Sequence, residues 1–130
     1  MHARFAISAL VLGLLLAACG KGDEEKSDCP DDGEKTPAGE QFASRYAVAY
    51  CDLRNDCYPV AFEDEFGSID SCQKAVSKRE IQRECDGCSL DGDQADTCVN
   101  AAETITCEDW VDDDALTAAC DGRWDCSDPE

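Results

Sequence analysis

The stretch Glu40-Gln41-Phe42-Ala43-Ser44-Arg45-Tyr46-Ala47-Val48-Ala49-Tyr50-Cys51-Asp52-Leu53-Arg54-Asn55 decides the fold. Phe42, Tyr46, Ala49, Tyr50 and Leu53 recur at steps of three and four, and Cys57 continues the stripe. Residues so spaced share one face of a helix, whereas a half-buried strand would alternate. The spacing predicts an amphipathic helix over Glu40 to Asn55.

Moving outward, Tyr58 to Gly67 contains Pro59 and Gly67 and sets apolar residues among Glu63, Asp64 and Glu65, so a partly buried connection is expected. Ser68 has the character of an N-cap and Asp70 favours the helix dipole, which predicts a second helix to about Cys85. Its stripe is short. Ile69, Cys72, Ala75 and Val76 agree, but Ile81 falls off that face and the C-terminal half is rich in Lys, Arg and Glu. Asp86 to Gly92 reads as a turn. From Asp93 a third helix carries the apolar face Ala95, Cys98, Val99, Ala102 and Ile105. After Cys107 and a short connection, Asp112 to Asp114 are expected to cap a brief helix bearing Ala115, Leu116, Ala119 and Cys120, with a ragged tail from Asp121. The fold expected is all-α, a small disulfide-rich bundle of three to four short helices behind a disordered N-terminal tether.

Upstream, His2 and Arg4 precede an apolar run from Phe5 to Ala18, which has the form of an export signal. At 14 residues the run is shorter than the roughly 20 that span a bilayer as a helix. It ends in Leu16-Ala17-Ala18-Cys19, which resembles the lipobox of bacterial lipoproteins, in which the cysteine takes a diacylglyceryl group and becomes the new N-terminus. Two or more acyl chains, palmitate-type, anchor stably where one does not. Gly20 after the cysteine implies onward transport, so the location expected is the cell envelope, at the outer membrane. Residues 19–39 lack aliphatic and aromatic side chains apart from alanine and read as a solvated acidic tether with a reach near 25 Å. The organisation expected is a signal peptide at 1–18, the tether at 19–39, a disulfide-rich domain at 40–126 and a tail at 127–130.

Of the chain's 11 cysteines, reserving Cys19 for lipid leaves an even number. Cys29, Cys51, Cys57, Cys72, Cys85, Cys88, Cys98, Cys107, Cys120 and Cys126 are therefore expected to form disulfides in an oxidising compartment. Ten cysteines allow about nine hundred pairings, and the spacing does not choose among them. Bridges typically worth about 2 to 4 kcal/mol each brace a domain too small to rest on a helical core alone.

Without residues 1–18 the chain has ten basic and 30 acidic residues, a net charge of -20. Such a chain repels nucleic acid and anionic headgroups and suits cations or a protein partner with a basic surface. Its only histidine is His2, so the exported chain lacks the imidazole of Ser-His-Asp or Cys-His nucleophile systems, of a histidine base and of histidine metal ligands. Carboxylate catalysis would need a cleft that a domain this small has little room for. No catalytic residue and no cofactor is assigned.

Two clusters remain as candidates. Cys85-Asp86-Gly87-Cys88 has C-x-x-C spacing, but it falls at a helix end beside Glu84 and Asp86, where negative charge opposes a thiolate, so two structural cystines are the preferred reading over a thiol-disulfide pair or half a zinc site. Asp91, Asp93 and Asp96 are the candidate calcium ligands. They fall short of an EF-hand, since Asp96 stands where the loop needs glycine and Ala102 where it needs glutamate. Trp110, Trp124, Tyr58 and Phe62 are expected to cover the core before serving as recognition residues.

The series Ala47-Val48-Ala49-Tyr50-Cys51-Asp52-Leu53 with Cys57, then Phe66-Gly67-Ser68 with Cys72, then Cys98 to Cys107 and Ala119-Cys120, resembles the uncharacterised cysteine-rich lipoproteins of myxobacteria. The likeness spans Phe42 to Cys120, with Cys29, Cys88 and Cys126 as additions. It implies an envelope location and a compact helical fold, and it brings no known activity. The expectation is a non-enzymatic lipoprotein acting as a structural or interaction module, with a calcium-binding protein as the alternative and a thiol-disulfide oxidoreductase third.

Overall fold

The computed structural model describes residues 35–127. The helix expected first is the longest element, α1 (Pro37–Cys57), and it starts earlier than its apolar stripe. Thr36 caps it, its side chain accepting from the Gly39 amide at 3.0 Å, and Pro37 occupies the first turn, where a missing N–H costs nothing. Pro37, Ala38 and Gly39 were expected in the tether; they are helical, and Gly39 is buried. At the other end Pro59 cannot continue α1 and holds Tyr58 out of the helical region, at φ -137° and ψ 58°.

Pro59 opens a new helix instead of a connection. Helix α2 (Pro59–Phe66) buries Phe62 and stops at Gly67, whose φ of 71° is left-handed and whose N–H reaches the Glu63 carbonyl. Proline and glycine, read as loop signals, are here a helix start and stop. Ser68 accepts from the Ser71 amide at 3.1 Å and caps α3 (Ile69–Cys85). The end of α3 is a Schellman motif: Cys88 N–H bonds the Arg83 carbonyl, Gly87 N–H bonds the Glu84 carbonyl, and Gly87 takes the left-handed turn at φ 92°.

The buried face of α3 runs Cys72, Val76, Glu80, Glu84 and Cys85, so the stripe continues past Val76 with carboxylates. Ala75, expected on that face, is exposed. The following turn contains a short strand, β1 (Ser89–Leu90). Helix α4 (Gly92–Thr104) buries Ala95, Cys98, Val99 and Ala102, and Asp91 caps it. Then come α5 (Cys107–Asp113), capped by Thr106, and α6 (Ala115–Cys120), which buries Leu116 and Cys120. Asp112 and Asp113 end α5, leaving Asp114 alone between the two helices. Residues 122–127, expected as part of a ragged tail, include β2 (Trp124–Asp125), which pairs antiparallel with β1, Leu90 opposite Trp124.

The described residues are therefore mostly helical, with six helices and one two-stranded ribbon; α2 and α5 fill segments expected as connections. Helix α1 packs between α3 and α4, and α6 lies on α4. Four disulfides fasten neighbours: Cys51–Cys72 joins α1 to α3, Cys57–Cys107 joins α1 to α5, Cys98–Cys120 joins α4 to α6, and Cys88–Cys126 closes the ribbon.

Candidate functional site

The i, i+4 row Phe42, Tyr46, Tyr50 and Arg54 on α1 builds an aromatic ladder. Phe42 and Tyr46 stack with centroids 5.7 Å apart, and Tyr46 and Tyr50 lie 5.7 Å apart. Trp124 meets Phe42 edge-on at 5.9 Å, while Trp110 sits edge-on to Tyr50 at 5.9 Å and to Tyr58 at 5.3 Å. Both tryptophans are half-buried and Phe62 is buried, so these residues cover the core as expected. Three arginines lie on the ladder: Arg123 over Tyr46 at 5.5 Å, Arg79 over Tyr50 at 5.8 Å, and Arg54 over Tyr58 at 5.0 Å.

Beside the ladder lies Glu80, only 1 % exposed. Its Oε1 accepts from an Arg123 terminal nitrogen at 3.0 Å, and its Oε2 accepts from Arg123 Nε at 3.2 Å and from the Trp124 indole at 2.8 Å. Arg79 Nε is 3.8 Å from Oε1. Arg123 also donates to the Cys120 carbonyl at 2.7 Å, so one guanidinium ties α3, the end of α6 and the ribbon together. Both carboxylate oxygens are engaged, so the cluster is a clasp and not a general base waiting for substrate. Tyr46, against the Arg123 guanidinium, is 5 % exposed, and burial pushes its hydroxyl pKa up to about 12 against the opposing pull of Arg123.

A second buried acid, Glu84, stands at the N-terminal end of α1. Its Oε1 accepts from the Thr36 amide at 2.9 Å, and its Oε2, buried without a hydrogen-bond partner, lies where a Cβ on Gly39 would be only 2.1 Å away. The positive end of the α1 dipole favours a carboxylate here, and only glycine leaves room for it.

Cys19 and Cys29 lie outside the described residues. Cys85 is disulfide-bonded, and Cys88 pairs with Cys126, so the C-x-x-C spacing does not make a vicinal pair. Asp91 turns Oδ1 onto the Asp93 and Gln94 amides, both at 3.0 Å. Asp96 instead pairs across the surface with Arg45 at 3.0 Å. Among the described residues no three His, Cys, Asp or Glu side chains converge as a metal-binding group, and no helix is long and apolar enough to cross a membrane.

Sequence reasoning missed Glu80, Glu84 and Arg123. A signal for the acids was present in the four-residue step Cys72, Val76, Glu80, Glu84; none marked Arg123, which reaches Glu80 from 43 residues away. No family model matches the chain, and neither a curated protein nor a solved structure matches it.

Proposed function

We propose that this chain is an exported, lipid-anchored envelope protein whose helical head acts as a structural or interaction module and not as an enzyme. The observation that carries the reading is the state of the cysteines: all nine in the described residues are in disulfides, which persist in an oxidising compartment outside the cytoplasm. The Leu16 to Cys19 motif supplies the lipid site, and Gly20 directs the product to the outer membrane. The engagement of Glu80 by Arg123 and Trp124 and of Asp91 by backbone amides supports a framework role for the acids that would otherwise suggest catalysis or calcium.

The experiment is expression of the chain and its Cys19→Ala variant in a bacterium with a lipoprotein export pathway. The parent chain should partition with the outer membrane and carry acyl chains by mass spectrometry, and the variant should become soluble after export. Equal membrane partitioning of both would overturn the lipid anchor.

A further inference from the structure

The two ends of α1 differ in what they carry. Thr36, Glu84 and Cys85 lie at the end where the described chain begins, so the 34 preceding residues leave from there. The other end, about 30 Å away for a helix of this length, carries Tyr58, Trp110 and the Cys57–Cys107 bridge.

Val60, two residues from Tyr58, is 76 % exposed, and Val111, next to Trp110, is 55 % exposed; they are two of only three large apolar residues so exposed among those described. Phe62 faces the core on α2, which leaves Val60 on its outer side. Arg54 holds the Tyr58 and Trp110 rings in place, its guanidinium 5.0 and 6.0 Å from their centroids. Exposed Asp56, Glu63, Asp64, Glu108 and Asp109 follow within a few residues on the same three segments. Exposed valines next in sequence to paired aromatics, with exposed acids on the same segments, suit a cationic polypeptide that carries apolar side chains among its lysines and arginines.

We propose that Tyr58, Val60, Trp110 and Val111 form one cap and that this cap is a docking surface for such a basic, apolar-containing polypeptide segment. Its outward presentation rests on the anchor proposed above; the binding itself does not. The acids supply attraction and register, and the apolar centre supplies contact that salt does not screen. A membrane surface is a poorer occupant, because the rim repels anionic headgroups.

The probe is a short peptide alternating lysine and leucine, compared with oligolysine of equal charge, titrated into the exported full-length Cys19→Ala chain and followed by amide chemical shifts. The lysine-leucine peptide should perturb Tyr58, Val60, Trp110 and Val111 and stay bound in high sodium chloride, while oligolysine is released. Val60→Ser with Val111→Ser, both exposed and outside the core, should weaken the first peptide by about tenfold and leave oligolysine unchanged. Equal binding of both peptides, shifts spread over all acidic faces, parental affinity in the double variant, or a preference for phosphatidylcholine vesicles over the peptide would each overturn the docking surface. Because acylation and membrane partitioning are read separately, failure here leaves the anchor reading standing, and the converse holds too.

Discussion

Glu80 concentrates most of the residue-scale energetics. A carboxylate 1 % exposed survives in a core only when its oxygens are paired, and here Arg123 and Trp124 supply three donors. Glu80→Gln leaves the Arg123 guanidinium, itself largely buried, without its counter-charge, and such losses cost about 3 kcal/mol or more. Urea unfolding should show that loss with the helical spectrum retained; a change below about 1 kcal/mol would mean the clasp is not a stabilising feature. Tyr46 gives the pH dependence. Its folded pKa, pushed up to about 12 by burial, lies above the ordinary value of about 10 in the unfolded chain. The folded state therefore holds that proton more tightly, and the associated stability is complete below about pH 10 and lost as pH rises through about 12. Phenolate absorbance should contain one delayed step near the upper value, and Tyr46→Phe should remove both that step and the part of the alkaline destabilisation linked to it.

At the scale of elements, chain-local patterns explain what was legible. The stripes Phe42 to Leu53 and Ala95 to Ala102 are buried where their period places them, and Ser68 caps α3 as its side chain suggests. Proline and glycine were misread at α2 because each ends one element and begins another, and a short helix has too few apolar positions to declare a period. The strand at Trp124 was invisible for a different reason: a two-residue ribbon is held by the partner Leu90, the Cys88–Cys126 bridge and Glu80, none of them local. Of the candidate site, the covering role of the tryptophans was legible from their type, whereas the buried acids, although in step with Cys72 and Val76, go against the rule that charged residues on a helix are ordinarily solvated. Glu84 offers the test of how elements fit. Gly39→Ala should push the Glu84 carboxylate off the α1 N-terminus and destabilise the α1–α3 contact by about 1 to 2 kcal/mol, and the same substitution in a Glu84→Ala background should be nearly harmless. Thermal melts of the four variants measure the coupling; additive effects would place the strain elsewhere.

For the whole molecule the cysteines fasten neighbouring elements to one another. Nine lie in the described residues and all are oxidised, yet the four bridges Cys51–Cys72, Cys57–Cys107, Cys88–Cys126 and Cys98–Cys120 use only eight. The partner of Cys85 is thus outside residues 35–127, where the sequence offers Cys19 and Cys29. If Cys19 carries lipid its sulfur is a thioether and cannot bridge, so Cys85 should pair with Cys29. That bond would fasten the tether at the Glu84 end of the head and leave nine residues between anchor and staple, with a reach of about 17 Å instead of about 25 Å. The head would then stand close to the membrane on one end and present the Tyr58 and Trp110 end away from it. Peptide mapping of the unreduced mature protein by mass spectrometry should recover Cys85 linked to Cys29, and replacing both by serine should lower stability by about 4 kcal/mol, as expected for a closed loop of this length. A peptide joining Cys85 to Cys19 would deny the lipid its sulfur and remove the basis of the anchor. A disulfide between the Cys85 residues of two molecules would instead make the protein a covalent dimer, with the tether free along its whole length.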